Sequence, residues 1–367
     1  MIAPRRVGPA RAVALTIVVL GVGVALAPRP ALLVERLYAA RLYPAIEAAV
    51  TSASNAVPFA IFDVVLIVAA AGGLCLWVRA VTRARRTRAV APLTSAAWVT
   101  AVAVSVGYLW FVLVWGLNYA RPPLDERLGL PEAPATAEEV AGLLTEAVTQ
   151  ANTLFQPAHA DGLVPYDAER DIAEALHTVE ARHGRSRPTV PGVPKPTLLA
   201  TYFRMAGVDG LTAPVALETL LNPDLTEFER PFVLAHEWAH LAGYAAEADA
   251  NFVAWLATME ERAWPRSRYS GWLFLVMETS AQVPRDTRRD ALAGLEAGPR
   301  RDLEAIAARA RQRVDLVQRV GWRVYDSYLR SQGVREGIVS YSRVVDLIAR
   351  ASRPQPWRQA PSAPRPQ

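Results

Sequence analysis

The stretch PFVLAHEWAHLAGYAAEADANFVAW, from Pro231 to Trp255, predicts a helix, a break and a second helix. His236 and His240 are four residues apart, so on one α-helix their side chains project from the same face about one turn apart. Two imidazoles at this spacing can reach the same metal ion. Glu237 follows the first histidine, where its carboxylate can lie beside the ion without being a ligand and can accept a proton from a water molecule. The stretch therefore predicts a metal site on its first helix.

The metal site needs a third ligand, because a catalytic zinc ion usually takes three protein ligands. Ala246 stands where metzincins carry a third histidine, six residues after His240, so that arrangement is excluded. Glu247 and Asp249 are the nearest candidates. On a straight helix Glu247 would lie roughly 10 Å further along the axis than His240, so the chain must turn back. Gly243 permits that turn, because glycine accepts the left-handed conformation that ends many helices.

The run EADAN, residues 247–251, resembles the Glu-x-x-Ala-Asp element that supplies the third ligand in gluzincin-type metallopeptidases, with Asn251 in place of aspartate. It is also similar to the Glu-x-Glu-Ala-Asn run of some short bacterial zinc-peptidase domains. The resemblance implies that Glu247 is the third ligand and that Asn251 orients a ligand imidazole. Asp249 stays the alternative ligand. A buried histidine pair that binds no metal is the alternative for the whole motif.

The composition favours a membrane protein. The 367 residues are 52% apolar and only 20% charged, and the net charge of +5 is modest. The arginines cluster by region, which indicates membrane topology rather than nucleic-acid binding. Cys75 is the single cysteine, so an internal disulfide framework and a cysteine-based zinc site are excluded.

Three apolar runs predict transmembrane helices at about 12–34, 58–78 and 96–117, each long enough to cross a bilayer of about 30 Å. A cleaved signal peptide is the alternative for the first run. The loop 79–88 carries five arginines, so the positive-inside rule places this loop and the amino terminus in the cytoplasm. The chain after Asn118 is then expected to be extracytoplasmic.

The regions between the predicted spans carry two further expectations. The segment 35–57 is mixed in polarity and is expected at the far surface of the membrane, with Tyr38 and Tyr43 at the interface. Asp63 lies near the start of the second span and is expected to be an interfacial group, with a functional intramembrane acid as the alternative.

Residues 118–353 predict a mainly helical domain, and the chain from 354 to 367 predicts a disordered tail. TAEEVAGLLTEAVTQA predicts a helix that Thr136 and Glu139 begin with a capping box. SGWLFLVMETSAQV, residues 270–283, is too short to span a bilayer and predicts a core helix. Short strands are expected before the metal helix. In zinc peptidases of this general class such a strand pairs with an extended substrate, and Val215 to Leu221 is the candidate.

Several stretches together resemble one bacterial membrane family of unknown function, whose members carry three predicted spans and a gluzincin-like motif. The matching pieces are WGLNYARPPL (115–124), HEWAHLAGYAAEADANF (236–252), RYSGWL (268–273) and VYDSYLRSQGVREGIVSYSRVVDLI (324–348). The resemblance implies a membrane-bound zinc peptidase and supplies no substrate. VALETLLNPDL (215–225) departs from the glycine- and asparagine-rich strand that tends to precede the motif in the family.

Tyr341 lies in the recurring SYSRVV piece of that resemblance. A tyrosine hydroxyl can stabilise the oxyanion that forms during amide hydrolysis, so Tyr341 is a candidate catalytic residue. Packing or capping within a helix is the alternative for this side chain.

The expected fold class is mainly α: three N-terminal transmembrane helices (1–117), then an α-rich, zincin-like α+β domain with a short sheet before the metal helix. The expected function is a zinc metallopeptidase anchored in the cell membrane, with a peptide or protein substrate and no nucleic-acid partner. Zn²⁺ would be held by His236, His240 and Glu247, and Glu237 would act as general base.

Two alternatives stay open for the function. One is a non-catalytic, zinc-stabilised extracytoplasmic interaction domain, and the other is a zinc hydrolase of a non-peptide amide. A structural zinc is closed by four protein ligands, whereas a catalytic zinc keeps an open position, so the ligand count separates the first alternative from an enzyme.

Overall fold

The computed structural model describes residues 8–160, 165–185, 187–332 and 343–353, and this part of the chain is mainly helical, as predicted. The first part forms α1 (Pro9–Leu26), α2 (Ala31–Leu33), a π-helical segment (Val34–Leu42), α3 (Tyr43–Asn55), α4 (Ile61–Thr87) and α5 (Ala91–Val114). The second part forms a 3-10 turn (Gly116–Ala120), α6 (Leu124–Leu128), α7 (Ala137–His159), α8 (Ala168–Arg182), α9 (Ala200–Ala206), β1 (Gly210–Ala213), β2 (Glu218–Leu221), α10 (Arg230–Leu241), α11 (Glu247–Thr258), α12 (Pro265–Gln282), α13 (Arg285–Ala293), α14 (Ala297–Ala310), α15 (Asp315–Ser331) and α16 (Arg343–Ser352).

Three of these helices, α1, α4 and α5, are long and apolar enough to cross a membrane, with mean hydropathies of 2.0, 2.4 and 2.0. α5 packs against both of the others. At most 11% of the residues in their apolar windows are buried within the protein. Apolar surface of this extent requires lipid around it. The prediction of three apolar helices long enough to cross a membrane is therefore confirmed, while their orientation stays a prediction.

The ends of these helices differ from the predicted bounds for local reasons. α1 ends at Leu26 because Pro28 and Pro30 cannot continue a helix. α4 continues through the arginine-rich stretch, since arginine and alanine are good helix formers, and ends at Arg88, whose φ is 48°. α5 begins at Ala91 with Pro92 in its first turn, where the missing N–H of proline costs nothing.

The segment between α1 and α4 packs against the second part of the chain. Tyr38 and Tyr43 are only 5% and 0% exposed, so both rings face the protein core, and the location of this segment at the membrane surface stays a prediction. The Tyr43 hydroxyl donates a hydrogen bond of 2.9 Å to the carbonyl of Leu241 at the end of α10. A segment of mixed polarity suits both a membrane surface and the surface of a protein core, and here both rings pack in the core.

The beginning of α4 is fixed to the sheet by a buried carboxylate. Glu218 on β2 accepts hydrogen bonds of 2.8 Å from the backbone N–H groups of Ile61 and Phe62. It also pairs with Lys195, whose Nζ lies 2.7 Å from its Oε1. The free N–H groups at the start of a helix favour an anionic partner, so this contact stabilises the junction between the apolar helix and the sheet.

Two further side chains, Asp63 near the beginning of α4 and Trp110 near the end of α5, form hydrogen bonds with the second part of the chain. Asp63 accepts hydrogen bonds from the Thr197 hydroxyl (2.8 Å) and from the backbone N–H of Leu198 (2.7 Å). The indole of Trp110 on α5 donates to the carbonyl of Val215 at 2.8 Å. Asp63 therefore lies at the end of the apolar helix and binds a loop, as expected of an interfacial group.

Most of the second part packs around a large core, to which α7 and α12 contribute a large helix–helix contact, and Phe203, Ala213 and Leu220 form a smaller cluster with Ala60. The capping box at the start of α7 is confirmed. Glu139 N–H donates to Thr136 Oγ1 at 3.2 Å, and Thr136 N–H donates to Glu139 Oε2 at 2.7 Å. α12, which contains the apolar stretch 270–283 up to Gln282, is a core helix as predicted.

β1 and β2 form an antiparallel hairpin in which Gly210 lies opposite Leu221 and Ala213 lies opposite Glu218. The predicted strand from Val215 to Leu221 is wrong in its first half, because residues 214–217 form the turn and Leu217 takes a φ of 48°. The strand that lies along α10 is mainly β1 rather than β2. The alternation of apolar and polar residues does not show which of two paired strands lies closer to a neighbouring helix.

Candidate metal centre

α10 and α11 pack against each other and bring three predicted ligands together. The turn between them contains Gly243 with a φ of 86°, the left-handed conformation that its sequence position predicts. Nε2 of His236 lies 3.2 Å from Oε2 of Glu247, and Nε2 of His240 lies 3.5 Å from the same oxygen. The three side chains offer donor atoms that all lie within 4.8 Å of one another.

This donor set fits a tetrahedral zinc ion. Metal–ligand bonds of about 2.0–2.1 Å place the ligand atoms of a tetrahedron roughly 3.3–3.4 Å apart. The two histidine–carboxylate distances, 3.2 and 3.5 Å, lie on either side of that value. Imidazole nitrogens and a carboxylate oxygen are also ligands that zinc accepts readily. Among the described residues no fourth histidine, cysteine, aspartate or glutamate joins the cluster, so these side chains would fill three of the four tetrahedral positions.

Asp249, the alternative third ligand, does not join this cluster. It lies two residues after Glu247 on α11, so the two side chains point about 200° apart around the helix. Burial raises the pKa of Asp249 to about 6, while Arg127, Arg343 and Arg121 act in the opposite direction. The carboxylate therefore lies among arginines, and the geometry favours Glu247 as the third ligand.

The orientation of His240 depends on a backbone group. Its Nδ1 lies 2.8 Å from the carbonyl oxygen of Tyr244, which can accept a hydrogen bond from Nδ1–H and leave Nε2 directed at Glu247. Asn251, predicted to orient a ligand imidazole, is buried one turn after Glu247 and lines the same cavity. Nδ1 of His236 has no hydrogen-bond partner among the described residues. No sequence pattern singles out Tyr244, because every residue carries a backbone carbonyl.

Charge complementarity holds the cluster together. Burial alone would raise the pKa of Glu247, but the two histidines hold that pKa well below its usual range. Burial alone would lower the pKa of His240, but the adjacent Glu247 raises it to about 9. The carboxylate is therefore ionised and directed at the imidazoles.

Glu237 is held beside the cluster by β1. Oγ1 of Thr212 lies 2.8 Å from both Oε2 and the carbonyl oxygen of Glu237. Glu237 is 3% exposed, and burial raises its pKa while the two neighbouring histidines oppose the shift. Gly210 passes so closely that a Cβ added there would lie 2.4 Å from Oε1 of Glu237. The strand thus restricts the position of this carboxylate.

Tyr325 is a site residue that the sequence did not single out. It lies on α15, and its hydroxyl donates a short hydrogen bond to Oε1 of Glu247. It stands within the matching piece VYDSYL, but nothing in that piece shows its distance from Glu247, which is 78 positions away. Tyr341 lies outside the described residues, so its role in oxyanion stabilisation stays a prediction.

The cluster opens into a cavity of about 610 Å³. Much of the lining beyond the polar groups is apolar, and it includes Leu199, Phe203, Leu211, Phe232, Phe274 and Trp322. A cavity of this size and character is typical of binding sites in which a few polar groups orient a largely apolar ligand.

The fold and the site together define a class: a membrane protein whose second part holds a His–His–Glu donor set in an apolar cavity. Within that class, the chain belongs to the family described as a protein of unknown function, DUF3810, whose model matches residues 38–349. The matched region contains α4, α5 and the whole candidate metal centre. No curated protein and no solved structure matches the chain.

Proposed function

We propose that the protein is a membrane-anchored zinc metallopeptidase of the gluzincin type. The observation that carries the proposal is the position of Glu237, whose restrained carboxylate lies beside the donor set of His236, His240 and Glu247 in one cavity. A metal site that only stabilises a fold has no use for such a carboxylate. A hydrolytic site needs one as general base.

Each of these side chains would have a separate role in peptide hydrolysis. His236, His240 and Glu247 would hold Zn²⁺, which when bound supplies a Lewis acid and lowers the pKa of a water molecule. Glu237 is turned about 100° from His236 on the helix, so its carboxylate flanks the donor set. In this position it would take a proton from the attacking water and pass it to the leaving amine. Tyr325 would hold Glu247 in its orientation through the hydroxyl contact.

The substrate that best fits the cavity is an extended peptide. β1 pairs with β2 along one edge, and its other edge has no strand partner within the described ranges. Residues Gly210 to Thr212 of β1 line the cavity beside Glu237. An extended chain can add to such an edge through backbone hydrogen bonds and bring its peptide bond to the metal centre. The apolar lining favours apolar side chains next to the bond that is cleaved.

The proposed location follows from charge and connectivity. The second part of the chain binds residues near the beginning of α4 and near the end of α5. These lie at the end of the helix bundle opposite the arginine-rich residues 79–88. By the positive-inside rule residues 79–88 and the amino terminus are cytoplasmic, so the metal centre is extracytoplasmic.

Two other functions use the same geometry. A zinc-stabilised interaction domain is disfavoured by the three-ligand set and the open cavity, since structural zinc sites are closed by four ligands. A zinc hydrolase of a non-peptide amide would use the same residues in the same roles, and a peptide substrate is preferred on the unpaired edge of β1.

The deciding experiment compares the full-length protein in lipid nanodiscs with its Glu237→Gln variant. Bound zinc is measured by mass spectrometry, and cleavage is measured with a proteome-derived peptide library. The variant keeps the size of the side chain and removes the base, so zinc content and melting temperature should match the parent while hydrolysis falls at least about 10²-fold. Glu146→Gln, at an exposed position on α7, is the matched control and should behave like the parent.

Each contrary result has a distinct meaning. Full cleavage activity in the Glu237→Gln variant would overturn the proposed mechanism. Loss of zinc together with activity would make Glu237 part of the metal-holding structure and would favour the interaction domain. Absence of zinc from the parent protein would remove the basis of the proposal.

A further inference from the structure

Apolar side chains that are exposed outside the membrane helices are concentrated around α15. Among the described residues after Val114, ten large apolar side chains are exposed, and five of them lie between 314 and 324. The ten are Val193, Leu198, Tyr202, Trp264, Met277, Val314, Leu316, Val320, Trp322 and Val324. Leu198 and Tyr202 belong to the α9 region, which packs against α15. Tyr202, Met277 and Trp322 also line the cavity, whereas the other exposed side chains of α15 indicate an interaction surface rather than scattered exposure.

One face of α15 carries most of this surface. Leu316, Val320 and Val324 follow each other at intervals of four residues, so they line a single stripe along the helix. They are 65%, 51% and 66% exposed. The opposite face contains Tyr325 and the buried Leu329, which face the protein. α15 is therefore apolar on two sides, and the described residues cover only one of them.

Two cationic side chains flank the exposed stripe. Arg319 and Arg323 are exposed, and within the described ranges neither forms an ion pair with an acidic side chain. An apolar stripe bordered by arginines is typical of a helix that lies in the interface of an anionic membrane.

Contacts with the apolar helices place α15 at the level of the membrane surface. The ring of Tyr328 lies 6.0 Å from the ring of Phe111, which is close to the end of α5. On the α9 side, the backbone of Leu198 binds Asp63 near the beginning of α4. The end of α5 and the beginning of α4 are on the same side of the apolar bundle, where the hydrocarbon gives way to lipid headgroups.

We infer that α15 is an interfacial membrane helix. The stripe of Leu316, Val320 and Val324 lies among the acyl chains next to the headgroups, and Arg319 and Arg323 bind lipid phosphates. The partner is the lipid surface of the same membrane that holds α1, α4 and α5.

This attachment has a consequence for the cavity, which does not depend on whether the site is catalytic. α15 contributes Trp322 and Tyr325 to the cavity wall, and the adjacent α9 region contributes Leu199 and Tyr202. A membrane-bound α15 therefore holds this side of the cavity at the bilayer, where ligands that emerge from the membrane can enter.

The test measures the contact of single side chains with lipid in the full-length protein. Cys75 is replaced by serine, and a cysteine is introduced by Val320→Cys and labelled with an environment-sensitive fluorophore. The protein is placed in nanodiscs of zwitterionic and anionic phospholipid, with or without lipids that carry a nitroxide near the headgroup. Asp286→Cys is the control, because residue 286 lies on α13, a polar helix that packs against α7.

We expect the label at residue 320 to emit at shorter wavelength than the label at 286, and to lose at least half of its emission to nitroxide lipid. The label at 286 should lose little. A blue-shifted label at 320 without quenching would show that protein covers the stripe, either a second copy or another segment, and would overturn the inference. A label at 320 that behaves like the control would place the stripe in water and would also overturn it. Zinc content and melting temperature, compared with the parent, verify that both labelled variants are folded.

Discussion

The substitution Gly210→Ala tests whether β1 positions the carboxylate of Glu237 independently of the metal ligands. A Cβ at residue 210 would lie 2.4 Å from Oε1 of Glu237 and 2.8 Å from its Cδ, whereas ordinary contacts begin at 3.4 Å. Oε1 must therefore move by about 1 Å (3.4 − 2.4) to accept the methyl group. The φ of Gly210 is not positive, so alanine fits the backbone itself.

The expected size of the effect follows from that displacement. A misplacement of about 1 Å can lower the rate of an enzyme by about 10²-fold, so we expect peptide hydrolysis to fall by about 10- to 100-fold. Stability should change little. Overpacking costs about 1–3 kcal/mol, and the replacement of a strand glycine by alanine recovers about 0.5–1 kcal/mol. Zinc content should stay the same, because the nearest atoms to the new methyl group all belong to Glu237.

The assay uses full-length protein in nanodiscs and a peptide that the parent protein cleaves. Gly142→Ala is the control, since a Cβ there has no neighbour within 4 Å. An unchanged rate in Gly210→Ala with full zinc content would refute the positional role of β1. Loss of zinc would show that the strand supports the ligands rather than the base alone.

Three further predictions concern the candidate ligands and two buried ionisable side chains. Glu247→Ala should remove most bound zinc and Asp249→Ala should retain it, and the reverse result in metal analysis would reassign the third ligand. Glu47 is fully buried, and burial raises its pKa to about 8, so the folded protein keeps a proton that the unfolded chain releases above pH 4.5. Stability should therefore fall as the pH rises from 4.5 towards 8, and Glu47→Gln should reduce that fall in melting temperature; equal slopes would contradict this. Lys195→Met leaves the buried Glu218 without its cation and should destabilise the protein by about 3–5 kcal/mol, while a second substitution, Glu218→Gln, should restore part of the loss in thermal unfolding.

The parts of the site that the sequence predicted depend on local spacing. Residues four apart on a helix share a face, and a glycine can take the left-handed conformation that ends a helix, so these two short-range rules predict the pairing of His236 with His240 and the turn that follows. The choice of Glu247 over Asp249 depends on the resemblance to the gluzincin element. The three apolar helices are predictable for a similar reason, since length and hydropathy act within one segment. Helix ends were less predictable, because the prolines after α1 and the helix-forming arginines of α4 shift them.

The parts that the sequence did not predict depend on distant contacts. Tyr325 reaches Glu247 across 78 positions, and Thr212 reaches Glu237 across 25. Neither contact can be predicted from the hydrophobic periodicity of the segments that form it. The burial of Tyr38 could not be predicted either, because an aromatic residue in a segment of mixed polarity suits a membrane surface and a protein core equally well.

α10, which carries the candidate ligands His236 and His240, packs against the N-terminal part of the chain. Tyr43 satisfies the carbonyl of Leu241 in the last turn of α10, and the ring of Trp115, directly after α5, packs edge-on against His240 at 6.0 Å. A boundary at residue 117 would cut both supports away from the helix that carries the ligands. The family match begins at residue 38 and so includes both of them. We therefore expect a fragment of residues 118–353 to bind zinc more weakly than the full chain, since the end of α10 would lose its partner and His240 would lose its packing.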